Sequence, residues 1–499
     1  MESRSLILAI DQGTTGTTAM VVDDSGAIIS RGYREVSCRY PRPGWIEQDA
    51  EYLWEQSLAA VADALRPIPR KRILTIGITN QRETTILWDA GSSRPVAPAI
   101  VWQCRRTADL CADLRARGLE PEIMRRTGLV VDPYFSATKV RWLLNSDAEL
   151  ADRARRGAVR FGTVDSWLIW KLSGGAAHRT DYSNASRTML YNIDELSWDP
   201  FLLEQLDIPA AILPEVRPSA SLFAYTSRVV LPDGSEIPAG IPIHGVAGDQ
   251  QAALFGQACF EPGMVKCTWG TGAFLLMNTG TEPVRSRTGL LTTLACGRDG
   301  SLVYALEGSV FVAGAAVQWL RDQLGLIRQA SEIEDLARQV PDSEGVYLVP
   351  AFTGLGAPYW RPEARGAILG LTRGTGRAHI ARAALESIAY QTRDVVDAMS
   401  TDANRPAREL RIDGGAAAND LLAQFQADLL GIPVLRPRVT ETTALGAAYL
   451  AGLAAGVWQS TDELARRWQL ERRFEPEMPP DRRSALYEGW RKAVARILS

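Results

Sequence analysis

The sequence is poor in the residues that build metal centres and disulfide frameworks. Its 499 residues include only three histidines and six cysteines, and no two cysteines form a Cys-X-X-Cys pair. Side chains this few and this scattered do not predict a zinc site or a set of disulfides. We therefore expect free, mostly buried thiols, as is usual in a reducing compartment.

A strong positive charge is also absent. The formal net charge is −3 at pH 7, and lysine supplies only five of the 55 basic residues. Because nucleic-acid-binding proteins normally present a basic surface, no nucleic-acid partner is expected. With 46% hydrophobic and 23% charged residues, the composition is that of a folded globular protein rather than a disordered one.

Long hydrophobic runs are scarce. The apolar run at residues 6–10 is too short for the core of a secretory signal. The uncharged stretch at residues 444–458, ALGAAYLAGLAAGVW, is shorter than the roughly 18 residues that a membrane span needs. Its alanines and glycines instead predict a closely packed core helix. Without a signal or a span, a cytoplasmic protein is expected.

Three common nucleotide-binding signatures are missing from the sequence. There is no Gly-X4-Gly-Lys-Ser/Thr, which argues against a P-loop ATPase. There is neither the His-Arg-Asp nor the Asp-Phe-Gly motif of protein kinases. No Gly-X-Gly-X-X-Gly follows a predicted strand, so dinucleotide chemistry is unsupported.

The pattern that is present is an alternation of strands and helices. The apolar runs 6–10 and 19–22 flank a Gly/Thr turn, which predicts a β-hairpin. Residues 51–65 have helical periodicity, and 72–79 reads as a buried strand. These features predict an α/β protein.

The second half of the chain repeats this layout. Residues 264–278 again place a Gly/Thr turn between apolar runs, and residues 409–430 read as strand, Gly-Gly turn and helix. Without a low-complexity linker, the two halves should pack directly with a cleft between them. We therefore predict two domains, at 1–254 and 255–499.

The Gly-rich turns are candidate phosphate sites. The turn that begins at Asp11 would expose backbone N–H groups and threonine hydroxyls to phosphate oxygens, and the carboxylate of Asp11 could bind Mg²⁺ directly or through water. Thr271 lies in a second such turn, and Gly415 and Asn419 follow the last predicted strand–turn. Each turn alone is equally compatible with an ordinary structural turn.

Taken together and in order, these segments resemble those of the actin-like ATPase superfamily. The amino-acid sequence of these segments is most similar to that of the FGGY carbohydrate kinases, and among these to the members that phosphorylate glycerol. The similar stretches span nearly the whole chain and include AIDQGTT (9–15), GITNQRETT (77–85), AIVWQCRRTAD (99–109), AGDQQAALFGQ (247–257) and VPAFTGLGAPYW (349–360).

The resemblance implies two actin-like (ribonuclease-H-like) ATPase domains with a catalytic cleft between them. It also implies an enzyme that uses ATP and Mg²⁺ to convert glycerol to sn-glycerol 3-phosphate. Relatives of this kind are commonly dimers or tetramers, so a homo-oligomer is expected.

The resemblance also implies roles for individual residues. Asp249 would be the general base, and Asp11 and Asp249 would lie near the metal. The residues that match glycerol contacts are Arg82, Glu83, Trp102, Tyr134, Asp249, Gln250 and Phe274, with the rings of Trp102 and Phe274 flanking the carbon chain. The residues that match nucleotide contacts are Thr14, Thr15, Gly16, Thr271, Gly314, Gln318, Gly415 and Asn419.

Without the resemblance, simpler interpretations are available for these residues. Asp249 could cap the helix that follows it, Arg82 and Glu83 could form a surface pair, and the aromatic residues could be core. The function proposed above depends instead on Asp11 and Asp249 meeting across one crevice from opposite lobes, and we state that as an expectation.

Two departures from related sequences modify the prediction. Many glycerol-phosphorylating relatives have an arginine where this chain has Thr18, so other donors or the metal must supply that charge. The stretch 231–242, which matches a sugar-bisphosphate loop in some relatives, contains no arginine, so weak or absent inhibition by fructose 1,6-bisphosphate is expected.

Two other functions fit parts of the pattern. A sibling kinase for a different polyol or sugar would share the fold, but would need more hydroxyl partners in its pocket. An actin-like or chaperone-like ATPase would use the Gly-rich turns, but would leave the polar cluster around Arg82 unexplained.

Overall fold

A computed structural model describes residues 5–297 and 301–499. Two mixed β-sheets, each flanked by helices, organise the chain. We call the elements from β1 to α9 the first lobe and those from β17 to α16 the second lobe.

The first lobe contains the following elements, in chain order: β1 (Leu6–Gln12), β2 (Gly16–Asp23), β3 (Ile28–Glu35), β4 (Glu47–Gln48), α1 (Ala50–Leu65), β5 (Ile73–Asn80), β6 (Ile86–Asp89), β7 (Ala99–Ile100), α2 (Ala108–Ala116), α3 (Glu120–Thr127), α4 (Ser136–Ser146), α5 (Ala148–Arg155), β8 (Val159–Gly162), α6 (Val164–Leu172), β9 (Arg179–Asp181), α7 (Tyr182–Ala185), β10 (Tyr191–Asn192), β11 (Ser197–Trp198), α8 (Pro200–Gln205), β12 (Glu215–Arg217), β13 (Ala220–Tyr225), β14 (Val229–Val230), β15 (Glu236–Ile237), β16 (Pro242–Gly248) and α9 (Asp249–Gly256).

The second lobe contains β17 (Val265–Trp269), β18 (Ala273–Gly280), β19 (Leu291–Cys296), β20 (Leu302–Val310), α10 (Gly314–Asp322), α11 (Glu332–Ala337), β21 (Tyr347–Val349), β22 (Ala367–Leu369), α12 (Arg377–Asp402), β23 (Leu410–Asp413), α13 (Asp420–Leu430), β24 (Val434–Pro437), α14 (Thr442–Ala454), α15 (Thr461–Arg467), β25 (Leu470–Phe474) and α16 (Pro480–Leu498). Short 3-10 helices occur at Arg70–Arg72, Ala210–Ile212 and Gly415–Ala418.

The first sheet has the strand order β13-β16-β5-β1-β2-β3. β1 is antiparallel to β2, and β2 to β3, whereas β5 and β16 run parallel to β1. The parallel strands are buried on both faces, which explains their nearly continuous apolar sequences. The predicted hairpin, the helix at 51–65 and the strand at 72–79 are confirmed.

The second sheet has the order β19-β20-β18-β17-β23-β24-β25. Here β18 and β20 extend an antiparallel meander from β17, while β23 and β24 continue parallel to β17. The predicted hairpin at 264–278 and the strand–turn–helix at 409–430 are confirmed.

Helix α14 joins the two lobes. It belongs to the second half of the chain, but it packs on the first sheet, where β5 approaches it so closely that a Cβ on Gly77 would lie 2.2 Å from the Ala447 carbonyl oxygen. It also crosses α9 closely, because a Cβ on Gly446 would lie 1.9 Å from the carbonyl oxygen of Ala252. The core helix predicted for residues 444–458 is thus confirmed through Ala454, where α14 ends.

Three further observations bear on the expectations from the sequence. Within the described residues, no helix has the length and apolar character to cross a membrane. The domain boundary predicted between residues 254 and 255 falls inside α9 and stays a prediction. All six cysteines are free, and five of them are buried, as expected.

Candidate active site

The carboxyl ends of three parallel strands form one edge of the first sheet. Register pairs Asp11 of β1 with Thr79 of β5, and Thr79 with Ala247 of β16. Ligands usually bind at this edge in open α/β sheets. Asp11, Arg82 and Asp249 all lie at or just beyond it, so the sheet itself brings the predicted polar residues together.

This arrangement corrects one expectation. Asp11 and Asp249 do not come from opposite lobes, because β1 and β16 belong to the same sheet with only β5 between them. The two carboxylates nevertheless lie at the same edge of the sheet and interact electrostatically. Burial and the negative charge of Asp249 raise the pKa of Asp11 to about 7, whereas the guanidinium of Arg31 lowers it.

Asp249 is the first residue of α9. The residue at the N-cap position is Gly248, and no side chain caps this helix, so the capping role considered for Asp249 is not observed. Its Oδ1 accepts from the backbone N–H of Gln250 at 2.7 Å and lies 3.0 Å from Nε of Arg82. Within the described part of the chain Oδ2 makes no hydrogen bond, and the side chain is 28% exposed.

Arg82 is the centre of a buried polar cluster. Its Nη1 lies 2.5 Å from Oε2 of Glu307, and its Nη2 lies 3.1 Å from Oε1 of the same carboxylate. A weaker contact of 3.4 Å joins Nη2 to the hydroxyl of Tyr134. Gly248 leaves room for this side chain, because a Cβ there would lie 2.6 Å from Cδ of Arg82.

The cluster contains a second arginine. Arg187, which is fully buried, donates from Nε to Oε1 of Glu83 at 2.6 Å and from Nη2 to Oε1 of Glu307 at 2.8 Å. Two guanidinium groups therefore face two carboxylates. Burial alone would raise the pKa of Glu307, but the charges of Arg187 and Arg82 lower it to about 2.

Glu83 has an unusual backbone. Its φ is +61°, in the left-handed region that non-glycine residues rarely adopt. Burial raises the pKa of its carboxyl, although Arg187 and Arg82 oppose the shift. Only Oε1 is bonded to Arg187; within the described residues Oε2 makes no hydrogen bond and remains an acceptor.

Three aromatic rings stand beside this cluster. The ring of Trp102 lies 5.5 Å from that of Tyr134 and 5.9 Å from that of Phe274. Phe274 comes from β18, so the group spans both lobes. Trp102 also donates from Nε1 to the hydroxyl of Thr14 at 2.8 Å, which ties the aromatic wall to the first Gly-rich turn.

A cavity of about 1030 Å³ opens beside these rings. Trp102 and Tyr134 contribute to its wall from the first lobe, and Phe311 and Trp360 from the second. The predicted cleft between the halves is therefore present, and Tyr134, which lines it, also contacts Arg82 of the polar cluster.

The predicted nucleotide residues of the second lobe also converge. The turn that contains Thr271 lies against the start of α10, where the N–H of Gly314 donates to the Gly270 carbonyl at 3.0 Å. Gly414 (φ +85°) packs on the same turn, since a Cβ there would lie 2.6 Å from the Trp269 carbonyl oxygen. Gln318 lies about one turn after Gly314 in α10 and is exposed to solvent.

Asn419 and Gly415 complete that surface. Asn419 caps α13, with its side-chain oxygen accepting from the Leu422 N–H at 2.8 Å. Gly415 is exposed at the start of a 3-10 helix.

On the first lobe, the turn of Thr14, Thr15 and Gly16 is closed by a hydrogen bond of 2.9 Å from the Gly13 N–H to the Gly16 carbonyl. A side chain at Gly16 would collide with Tyr33 rather than with a ligand.

Comparison with known proteins identifies the family that shares this architecture. Residues 6–256 match the N-terminal domain, and residues 265–455 the C-terminal domain, of the FGGY family of carbohydrate kinases. The chain belongs to the FGGY family of carbohydrate kinases.

Individual relatives match this FGGY kinase over its whole length. It is 57% identical to a glycerol kinase of Stenotrophomonas maltophilia over 495 residues, which cover 99% of this chain and 98% of the relative. It is 56% identical to glycerol kinase 2 of Thermotoga maritima over 494 residues, with the same coverage. The crystal structure of Plasmodium falciparum glycerol kinase with ADP is 36% identical, with a TM-score of 0.91 and 99% coverage of both chains.

Sequence reasoning missed three charged residues of this FGGY kinase. Glu307, Arg187 and Lys266 are fully buried around the predicted pocket. Glu307 and Lys266 sit in strands β20 and β17, whose neighbours are mostly apolar. A charge inside an otherwise buried strand was the available signal, since such groups are rare unless paired.

The metal prediction is compatible with the donor set. Within the described residues there is no group of three or more His, Cys, Asp or Glu side chains able to hold a metal. Mg²⁺, however, is usually bound by one or two carboxylates together with water and substrate phosphates. Asp11 and Asp249 repel each other, and a cation near them would relieve that repulsion.

Proposed function

We propose that this FGGY kinase transfers the γ-phosphoryl group of ATP to a terminal hydroxyl of glycerol, giving sn-glycerol 3-phosphate. The near-full-length relatives that carry the name glycerol kinase support this substrate. The observation that carries the proposal is the polar cluster around Arg82, whose unpaired polar atoms lie beside the rings of Trp102, Tyr134 and Phe274.

Glycerol has three hydroxyls on three carbons, so a selective pocket must pair each hydroxyl and cover the chain. Within the described residues the free acceptors are Oε2 of Glu83 and Oδ2 of Asp249. Nη2 of Arg82 donates to Glu307 at 3.1 Å, and its other contact, to Tyr134, is a weak one of 3.4 Å that it could give up. Trp102, Tyr134 and Phe274 supply apolar surface for the carbons. Because unpaired buried polar groups are costly, this set should reject substrates that lack a matching hydroxyl.

Asp249 is proposed as the general base. Its Oδ1 is held by Arg82 and the Gln250 N–H, so Oδ2 is the oxygen available to a substrate. As the glycerol oxygen forms its bond to the γ-phosphorus, the bond from that phosphorus to the β,γ-bridging oxygen breaks and ADP leaves. The hydroxyl proton passes to Oδ2 of Asp249.

The nucleotide is proposed to lie between the Gly-rich turns of the two lobes. Thr14, Thr15 and Gly16 would face its phosphates from the first lobe, and Thr271 from the second. The surface formed by Gly314, Gln318, Gly415 and Asn419 would hold the rest of the ATP molecule. Close packing of the lobes would exclude water, which otherwise would compete with glycerol.

Asp11 and Asp249 are the residues that would hold Mg²⁺, which when bound neutralises charge on the phosphates. Their position at one edge of the first sheet and their mutual repulsion support that assignment. We also propose that the enzyme is a homo-oligomer, by analogy with its family.

A panel of acceptors tests this function. Wild-type enzyme with MgATP would be given glycerol, a pentulose, gluconate or no acceptor, and both ADP and the phosphorylated product would be measured. We expect product and ADP in equal amounts with glycerol and the highest kcat/KM for it. Preference for a pentulose or gluconate, or ADP release without phosphorylated product, would contradict the proposal.

A further inference from the structure

Lys266 is a buried cation at the junction of the lobes. It lies in β17 of the second lobe with no exposed surface. Its ammonium group reaches α9 of the first lobe, where it donates to Oε1 of Gln250. It also donates to the hydroxyl of Thr268 at 2.9 Å and to the Phe274 carbonyl at 3.2 Å.

An ammonium group has three donors and no acceptor. The three acceptors around Lys266 therefore use its full donor capacity. Since Lys266 can only donate, the atom of Gln250 that faces it must be the amide oxygen. The donor-only chemistry of Lys266 thus determines the orientation of that amide.

We propose that Lys266 is a positioning residue that turns the amide NH₂ of Gln250 toward the acceptor pocket, where it donates to a glycerol hydroxyl oxygen. This inference rests on the proposed function. Within the described residues Nε2 of Gln250 makes no hydrogen bond, so its donors are available. Gln250 directly follows the proposed base in the chain, and its backbone N–H donates to Oδ1 of Asp249 at 2.7 Å.

The pocket needs such a donor. In the part of the chain that the structure describes, its other unpaired polar atoms, on Glu83 and Asp249, are carboxylate oxygens that can only accept. Arg82 is largely committed to Glu307. If the side-chain amide of Gln250 could rotate freely, it could present its oxygen to the pocket instead of its NH₂. A glycerol hydroxyl whose hydrogen is already donated to a carboxylate could not bond to that oxygen.

The surroundings of Lys266 combine burial with charges of both signs. Burial lowers its pKa, while the carboxylates of Asp413 and Asp249 act in the opposite direction and Arg82 reinforces the lowering. The alternative role is direct binding of an ATP phosphate. That role would require the ammonium to abandon one of its three bonded partners, and it makes a different kinetic prediction.

A double-mutant cycle tests the proposal, using Lys266→Met, Gln250→Leu and the double variant of the full-length enzyme. Each single change should raise the KM for glycerol about tenfold, the equivalent of one hydrogen bond, while the KM for ATP stays within about twofold. The double variant should be no worse than Gln250→Leu alone. Lys266→Arg, which keeps a donor-only side chain, should recover most of the affinity.

Several outcomes would overturn the inference. Additive effects in the double variant would mean that the two residues act independently. An equal rise in the KM for ATP would assign Lys266 to phosphate binding. Lack of glycerol phosphorylation by the wild-type enzyme would remove the proposed function and this inference together, whereas an active wild type with an additive cycle would remove the inference alone.

A second variant keeps the test decisive if Lys266→Met fails to fold. Gln250→Glu retains an acceptor for Lys266 but removes the donor. We expect an unchanged Tm and a glycerol KM raised as in Gln250→Leu. A wild-type glycerol KM in Gln250→Glu would show that no amide donor is needed and would contradict the proposal.

Discussion

In both lobes five strands follow the same order and directions. β3-β2-β1-β5-β16 of the first sheet corresponds to β20-β18-β17-β23-β24 of the second, with an antiparallel meander followed by two parallel strands. In each lobe a helix follows the fifth strand, and these two helices, α9 and α14, pack on each other through Gly256 and Gly446. The lobes thus repeat one plan around a shared helix pair.

The groups that this plan presents to the cleft differ. The first lobe ends its strands in charged side chains, with Arg82 and Asp249 joined at 3.0 Å. The second lobe presents Gly-rich backbone, such as the turn at Gly270 that receives the Gly314 N–H. Side chains suit an uncharged polyol that must be distinguished by its hydroxyls, whereas exposed backbone suits phosphates. On the proposed function, most contacts to the acceptor come from the first lobe and most contacts to the nucleotide from the second.

The largest effect is expected from removing the proposed base. Asp249→Asn should lower kcat by at least about 100-fold, because a positioned base contributes that much or more. The matched change in the second lobe is Asp413→Asn. Asp413 accepts from Gln257 and Thr442 at 2.7 and 2.6 Å, contacts that an asparagine oxygen can keep. We expect a much smaller loss of kcat for Asp413→Asn in steady-state kinetics. Equal losses of kcat in the two variants would contradict the special role of Asp249.

Arg82→Ala should raise the KM for glycerol at least about tenfold, with a much smaller change for ATP, since it removes the centre of the acceptor cluster. It also leaves Glu307 paired with Arg187. Measured KM values for both substrates check this. Equal increases would place Arg82 outside the acceptor pocket.

A third change acts on the helix pair that joins the lobes. Gly446→Ala puts a Cβ 1.9 Å from the Ala252 carbonyl, so α9 and α14 must separate, at a cost on the order of 1–3 kcal/mol. Gly374→Ala is the control, because the nearest atom to its Cβ is 3.7 Å away. Urea unfolding that finds the two variants equally stable would show that the close crossing carries no energetic weight.

The smallest effect is a pH dependence specific to the first lobe. His178 is packed against Trp88 with ring centroids 5.3 Å apart, and burial lowers its pKa to about 4. Its folded-state pKa is depressed, so the neutral form contributes stability above its ordinary pKa of about 6.5, and that contribution is lost as the pH falls toward 4.

The comparison of wild type with His178→Gln isolates this contribution. The free energy of unfolding of the wild type should fall relative to that of the variant by on the order of 1–2 kcal/mol between pH 7 and pH 5. Urea titrations at several pH values measure it. Parallel stability curves for the two proteins would assign the acid sensitivity elsewhere.

Local patterns were sufficient to predict much of the fold. The β1–β2 hairpin, α1 and the buried α14 were readable because periodicity and turn chemistry act over a few residues. The strand order of the sheets could not be predicted in this way. The expectation that Asp11 and Asp249 come from opposite lobes was therefore wrong, because β1 and β16 lie in the same sheet. Strand order depends on pairings between residues far apart in the chain, which a local pattern does not encode.

The residues of the candidate site could likewise be predicted only in part. Arg82, Trp102, Tyr134, Asp249 and Phe274 were proposed from motif resemblance, and the structure brings them together. Glu307 and Lys266 were missed because each is a single charge within an apolar strand. Their partners, Arg82 and Gln250, are 225 and 16 residues away in sequence, and only the folded chain shows the pairs.

A crystal structure of the enzyme with glycerol, Mg²⁺ and a non-hydrolysable ATP analogue tests the central claim most directly. We predict one glycerol hydroxyl at about 2.6–3.2 Å from Oδ2 of Asp249 and about 3–3.5 Å from the γ-phosphorus, with the analogue's phosphates against the turns of Thr14 and Thr271. Glycerol bound away from Arg82, or a γ-phosphate out of reach of that hydroxyl, would contradict the account.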